Sequence, residues 1–250
     1  MPRRRQDDAP PPVIWSEPQP AARRRSLGRE EIVRAAIAVA DQGGAGALTM
    51  ATVARHLGSY TAMALYRHVP DKDSLVDLML DAAIAEVELP SAPAGDWREA
   101  LRGLALATWE MVKRHWWFAQ LVYTRPPAGP HMMARTEFML AVFARRGVPA
   151  PMGIIFASLV DRHIFGNGLQ EAEERRMRDR YRLDTTEKLL AAMKPVRDLA
   201  QAGGRYPHLA GWLDQSFEST PDEQFELGLD CLLDGIALRL PAGDETGGDE

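Results

Sequence analysis

Apolar residues recur along this chain at three- and four-residue intervals, the period of helices that each bury one face. Ile32, Ala36, Ile37, Val39 and Ala40 form the buried side of a first helix, which Ser26 opens as N-cap and Gly43 and Gly44 close. Val53, Ala54 and Leu57 give a second, short helix its apolar face, with Thr49 placed to cap it and Gly58 to supply a turn. A third helix spans 60–68 and is stopped by Pro70. Asp71 can cap a fourth over 72–88, where Leu75, Leu78, Met79 and Ala82 fall at i, i+3, i+4 and i+7. The stretch LPSAPAGD at 89–96 is a linker, and Asp96 is placed to cap a helix over 97–115. Further helices are predicted over 130–146, 151–178, 185–201, 207–217 and 221–239, broken by PPAGP, the turn at 147–151 and GGRYP. Runs of alternating β-branched residues are absent, so the expected fold class is all-α.

Two short helices joined by a tight turn and followed by a longer helix, over 48–80, read as a helix-turn-helix. Its second short helix carries Tyr60, Thr61, Met63, Tyr66, Arg67 and His68. Hydroxyl and cationic groups suit phosphates and base edges, and apolar atoms suit thymine methyls, in a major groove. Ser59, Tyr60, Thr61 and Met63, at the start of that helix, are the candidate base readers.

Residues 27–88 resemble the N-terminal domain of the tetracycline-repressor (TetR) family of transcription regulators. The run Leu65, Tyr66, Arg67, His68, Val69, followed by Asp71, Lys72, Asp73 and Leu75, is similar to that family's LY-x-H-V-x-x-K-x-x-L signature. The resemblance implies an operator-facing surface of Thr49, Ser59, Tyr60, Thr61, Met63, Tyr66, Arg67, His68 and Lys72, with Tyr66 and Lys72 on phosphates. The chain departs from the family by one extra residue between Gly58 and Tyr66, and by Ala51 where the tetracycline repressor itself has a base-reading arginine. The operator sequence therefore does not carry over.

Charge sharpens this picture. The chain of 250 residues has a net charge of −5, unpromising for a partner of DNA, but the charge is unevenly spread. Residues 1–72 hold eleven Arg or Lys against seven Asp or Glu, and the remainder nineteen against twenty-eight. Arginines at 3–5 and 23–25 flank a proline-rich stretch, so residues 1–25 are expected to be a disordered arm that either lies along phosphates or solubilises the chain. The acidic residues 241–250 are expected to fray. The single cysteine, Cys231, excludes an internal disulfide and is read as a small core residue. No signal-peptide core and no apolar run of about 18 residues is present, which points to the cytoplasm and no membrane partner.

Catalytic chemistry lacks a starting point. The six histidines form no metal-ligand spacing, and no phosphate loop, dinucleotide fingerprint or nucleophile elbow occurs, so no metal, cofactor or enzyme activity is expected. The C-terminal part instead carries many bulky apolar side chains, which must be core, pocket lining or both. Trp109, Trp116, Phe138 and Phe156, with His163 and Asn167 as polar groups and Arg135 as a third, are the candidate effector site. For His163 the alternative is a satisfied core histidine.

Residues 97–240 resemble the ligand-binding and dimerisation domain of the tetracycline-repressor branch, through DRHIFGNGLQEAE at 161–173 and FELGLDCLLDGIALRL at 225–240. In that family two such helices from each subunit form a four-helix bundle. Phe225, Leu229, Leu232, Ile236 and Leu240 make one apolar stripe that needs a partner, in its own chain or another. The expected partner is a second copy together with the helix of 151–178. The reading is an N-terminal three-helix helix-turn-helix domain (26–88) and a helical ligand-binding and dimerisation domain (97–240) of a homodimeric repressor, released from a double-stranded DNA operator by a small apolar effector. The alternatives are a constitutive DNA-binding protein without effector and a small helical enzyme.

Overall fold

Side-chain caps fix where five of the helices begin. The computed structural model describes Trp15 and residues 27–93, 95–124, 126, 128–215 and 219–241. They form eleven α-helices and no strand: α1 (Arg29–Gly43), α2 (Met50–His56), α3 (Ala62–Leu65), α4 (Lys72–Ile84), α5 (Trp97–Arg114), α6 (Phe118–Leu121), α7 (Pro130–Ala144), α8 (Ala150–Tyr181), α9 (Thr186–Gln201), α10 (Pro207–Leu213) and α11 (Pro221–Ala237). Thr49 and Thr52 cap α2 reciprocally, each hydroxyl accepting the other's backbone N–H at 3.0 Å. Asp71 Oδ1 accepts from Ser74 N at 2.6 Å, and Asp96 Oδ1 from Arg98 N at 2.8 Å and Glu99 N at 3.2 Å. Thr220 and Glu223 form a second reciprocal cap, on α11. The N-cap of α1 is Gly28, with no side-chain bond; Ser26, the predicted cap, lies outside the described residues, as do the arginines at 3–5 and 23–25 and the acidic tail.

One continuous core runs through the described residues, from Leu27, just before α1, and Ile32 in α1 to Leu229 and Ile236 in α11. α1 packs on α2 and α4, α4 reaches α5, α6 and α7, and α8 is the axis on which α5, α6, α7 and α11 all lie. α8 runs 32 residues, about 48 Å, and ends in a left-handed Arg182 (φ 54°) with Leu183 N donating to Arg178 O at 2.8 Å. α9 and α10 pack chiefly on each other.

Several expectations change. α1 buries Val33 and Ala35, while Val39 is half-buried. α4 ends at Ile84 rather than 88, where turn bonds such as Val87 N to Ile84 O (3.0 Å) replace the helical pattern. The stripe of α11 buries Phe225, Leu229, Leu233 and Ile236 within its own chain, leaving Leu232 half-buried, so the stripe expected to meet a second copy is intramolecular core. Cys231, expected in the core, is exposed. Among the described residues no helix is long and apolar enough to cross a membrane.

The crossing of α8 over α5 depends on Gly168. A Cβ there would stand 2.4 Å from Val112 Cγ1 and 3.2 Å from Ala119 Cβ, so backbones approach where no side chain fits. Gly168→Ala is expected to cost about 1–3 kcal/mol by overpacking. Gly103→Ala, at an exposed position in α5 with nothing within 4 Å, is expected to gain about 1 kcal/mol from helix propensity. Thermal melts of the two variants should shift in opposite directions; equal shifts would contradict the close crossing.

Candidate functional site

The N-terminal surface is built on buried anchors. Leu65 and Val69 have no exposure, and Gly58 makes the turn between α2 and α3 at φ 79°, a conformation that favours glycine. Outward from these anchors stand Ser59, Thr61, Met63 (73% exposed), Tyr66, Arg67 and Lys72. The predicted helix of 60–68 is regular only over α3, four residues long; Thr61 is extended, and after Leu65 the chain continues in turn bonds from His68 N and Val69 N to Leu65 O at 2.9 and 3.0 Å. Pro70 disfavours helical geometry just before it, which shortens the element. Tyr60 is half-buried against the core. His68 is also half-buried, and its carbonyl accepts Arg29 Nε–H at 3.4 Å. Thr49 is exposed, but its hydroxyl oxygen is engaged in the α2 cap.

Two polar clamps tie α4 to the C-terminal helices. The first closes where α5 ends. His115 Nδ1 lies 2.7 Å from Asp41 Oδ1 of α1, and its Nε2 lies 3.1 Å from Glu86 Oε1, just past α4. Trp117 Nε1–H donates to Asp41 Oδ1 at 2.6 Å, Trp116 Nε1–H to the Asp41 carbonyl at 3.0 Å, and Arg114 Nη2 to Glu86 Oε2 at 2.8 Å. In the second clamp, the buried Asp81 of α4 caps α7: its Oδ1 accepts His131 N–H at 2.9 Å and Met132 N–H at 3.1 Å, and its Oδ2 faces His131 Nδ1 at 2.7 Å. Gly129 leaves room for this approach, since a Cβ there would fall 2.0 Å from Asp81 Oδ1. Asp41, Asp81, Glu86 and His115 were not legible as a site in sequence. The only signal was Asp81 itself, a carboxylate on the apolar side of α4.

The candidate effector residues divide. Phe225 of α11 is held between Trp109 (centroids 4.5 Å apart, planes at 4°) and His163 (4.9 Å, 30°). Trp109 Nε1–H donates to Asp222 Oδ1 at 2.7 Å, His163 Nε2–H to the Phe225 carbonyl at 2.9 Å, and Asn167 Nδ2–H to the His163 carbonyl at 2.7 Å. Phe156 instead packs on Phe143 at 5.4 Å, Phe138 is buried in the same core, and Trp116 belongs to the clamp at Asp41. Three clefts open nearby. One of about 20 Å³ lies between α4 and the segment before α7, including Asp77, Asp81 and Met132. One of about 190 Å³ lies between Trp97 and Arg145, and a charged one of about 590 Å³ between α8 and α9, including Glu171, Arg178 and Lys188. Trp109, Phe138, Phe156 and His163 line none of the three.

A helix-turn-helix that turns hydroxyls, an aromatic ring and cations outward, mounted by a clamped connecting helix on a larger helical body, defines a DNA-binding transcriptional regulator. Comparison with known proteins agrees. Residues 89–240 match the family described as "Tetracyclin repressor-like, C-terminal domain". The HTH-type transcriptional repressor DrrR1 of Streptomyces coeruleorubidus is 33% identical over 233 residues, 91% of this chain and 84% of that protein. The class A tetracycline repressor from transposon 1721 of Escherichia coli is 28% identical over 216 residues, 83% of this chain and 89% of that protein. The crystal structure of ActR from Streptomyces coelicolor in complex with actinorhodin superposes with a TM-score of 0.71 at 23% identity, covering 86% of this chain and 98% of ActR, and so shares the fold. The chain belongs to the TetR family of transcriptional regulators, which are not enzymes.

The first clamp carries a pH signature. Burial of Glu86 works against its charge, but the hydrogen bonds and charges of Arg114 and His115 outweigh it and hold the carboxyl below its ordinary 4.5. A lowered folded value means the clamp's contribution is fully present above the unfolded value and is lost as pH falls through the folded one. Urea unfolding between about pH 6 and pH 3 should therefore show a steeper loss of stability in the wild type than in Glu86→Gln. Parallel losses would remove Glu86 from the joint.

Proposed function

We propose that the chain is a homodimeric repressor that leaves its operator when a small apolar effector enters the helical body. The observation that carries this reading is the pair of clamps. α4 begins at the DNA-facing surface with Lys72, and its far end is bonded to α7 through Asp81 and to α5 through Glu86 and His115. Movement of α5 or α7 around an effector must therefore move α4, and with it the separation of the two recognition helices, which in a dimer match major grooves about 34 Å apart. An effector that favours the displaced state by about 3 kcal/mol lowers operator affinity more than a hundredfold. That ActR was solved in complex with actinorhodin supports a small-molecule effector for this chain, and Trp109, Phe138, Phe156, His163 and Asn167 remain the proposed contacts, which the helices must part to expose.

The proposed dimer uses faces that the core leaves uncovered. Met152, Ile155 and Leu169 lie exposed on one side of α8, and Leu227 (68% exposed) and Cys231 on one side of α11, continued by Leu238 (85% exposed) just past its end. Apolar stripes on two packed helices suit a two-fold interface in which each substitution acts twice. This replaces the register of Phe225, Leu229, Leu232 and Ile236 as the face toward the second copy.

Operator sequences selected from random DNA test the reading directly. Lys72→Ala should lower the slope of log affinity against log salt by about 1 per half-site for every sequence, and Thr61 or Met63 variants should change the preferred bases. An unchanged slope removes Lys72 from the phosphates. In sedimentation, Ile155→Glu should run as a 27.7 kDa monomer and lose operator affinity by orders of magnitude, with the Cys231 thiol reacting faster than in the wild type. A wild type that is monomeric on its own, or an Ile155→Glu dimer still tight on DNA, overturns the interface.

A further inference from the structure

The cleft of about 190 Å³ beside Trp97 has Arg145 and Arg146 on one side, where α7 ends, and Pro93 and Gly95 of the linker with the start of α5 on the other. Both arginines are exposed, and among the described residues neither forms an ion pair. Arg145 Nη1 donates to the Pro93 carbonyl, so the end of α7 already touches the linker. Asp96, the carboxylate in the wall, is committed elsewhere, since its Oδ1 accepts the first N–H groups of α5 at 2.8 and 3.2 Å. Two adjacent unpaired cations stand out in a C-terminal part where acidic groups outnumber basic ones. The segment after α11 leads to this place. α11 stops at Ala237, Leu240 packs on the core, and Pro241 then stands beside Gly147, where a Cβ would lie 4.0 Å from Pro241 Cγ. Gly147 directly follows Arg146. Residues 242–250, AGDETGGDE, carry Asp244, Glu245, Asp249 and Glu250 and no basic residue. Asp244 is three residues past Pro241, an extended reach of about 10 Å, and Gly243 permits the chain to turn toward α7.

We propose that the acidic segment 242–250 docks on Arg145 and Arg146 of its own chain, closing the cleft and strapping the linker at Pro93 to the end of α7. A single exposed ion pair contributes little, but so short a tether keeps the carboxylates near the two arginines at millimolar effective concentration, and several weak pairs then act together. Arginine suits the role because its planar guanidinium takes a carboxylate through two parallel N–H groups. The linker joins α4 to α5, so the strap restrains the joint between the DNA-facing part and the helical body. Exposed charge holds it. It is therefore closed at low ionic strength and released by salt, unlike the buried clamps at Asp81 and His115.

The test treats the full chain with phenylglyoxal, which modifies accessible guanidinium groups, and reads the rates at Arg145 and Arg146 by mass spectrometry, with the exposed Arg34 of α1 as reference. At an ionic strength of about 0.01 M the wild type should react at these two sites at least about threefold more slowly than the variant Asp244→Asn, Glu245→Gln, Asp249→Asn, Glu250→Gln, and at about 1 M the difference should vanish. Equal rates at low salt overturn the strap. Protection that appears only on adding inorganic phosphate makes a free anion the occupant, and protection by operator DNA that is equal in wild type and variant makes the cleft a DNA contact; either result also overturns it. A second measurement fixes which chain the segment reaches. In a Cys231→Ser background, Thr246→Cys with Ala100→Cys, in the cleft wall, should form an intrachain disulfide on mild oxidation several-fold faster than Thr246→Cys with Arg34→Cys, and Arg146→Gln should slow it. A disulfide found only between chains puts the segment on a second copy, and equal rates for the two cysteine pairs leave it undocked; both outcomes refute docking within the chain.

Discussion

Asp81 is a carboxylate that the core has taken out of water, and it is tolerated there because the first backbone N–H groups of α7 and the ring of His131 converge on it. That bond decides how two parts of the molecule sit. α4 carries the support of the recognition surface at its start and the buried carboxylate in its last turns, so the orientation of α3 is set by where α7 begins. Gly129 belongs to the same arrangement, because any side chain there collides with Asp81. The clamp at His115 works in the same way from the other side, joining the end of α1 and the end of α4 to the end of α5.

Polar joints of this kind differ from the apolar core around them. Apolar packing is non-directional, so side chains can re-pack around a shift, whereas a buried hydrogen bond is either made or left as an expensive orphan. A connecting helix held by carboxylates therefore has few permitted positions. The continuous core supplies stability, and on the proposed mechanism the clamps would define the states between which a ligand chooses.

What the sequence made legible follows from the range of the forces involved. Thr49, Asp71 and Asp96 act on atoms two or three residues away, so the starts of α2, α4 and α5 could be read from local chemistry. The run from Leu65 to Lys72 was likewise local. The face of α11 was not, since Phe225, Leu229, Leu232 and Ile236 look the same whether they meet α8 or a second copy. The fold shows that the stripe is satisfied at home, against α8 and Trp109 of α5, in a register that takes Leu233 instead of Leu232. Cys231 changed sides for the same reason. The pairing of Asp81 with His131 spans fifty residues, and that of Arg135 with Thr108 twenty-seven, separations over which spacing carries no information.

Geometry explains why a clamp so far from the DNA surface has leverage. Nine residues of α4 separate Lys72 from Asp81, about 14 Å of helix, so a tilt of about ten degrees at the clamp displaces the DNA-facing end by about 2 Å. A hydrogen bond to phosphate survives only a few tenths of an ångström of such movement. In a two-fold assembly the two displacements are equal and opposite in sense, so the half-site spacing changes by up to twice that amount. On the proposed mechanism neither recognition surface has to unfold. Leu65 and Val69 are fully buried, so in the proposed switch the unit would pivot whole, and what would change is the match between two rigid surfaces and a DNA whose groove spacing is fixed.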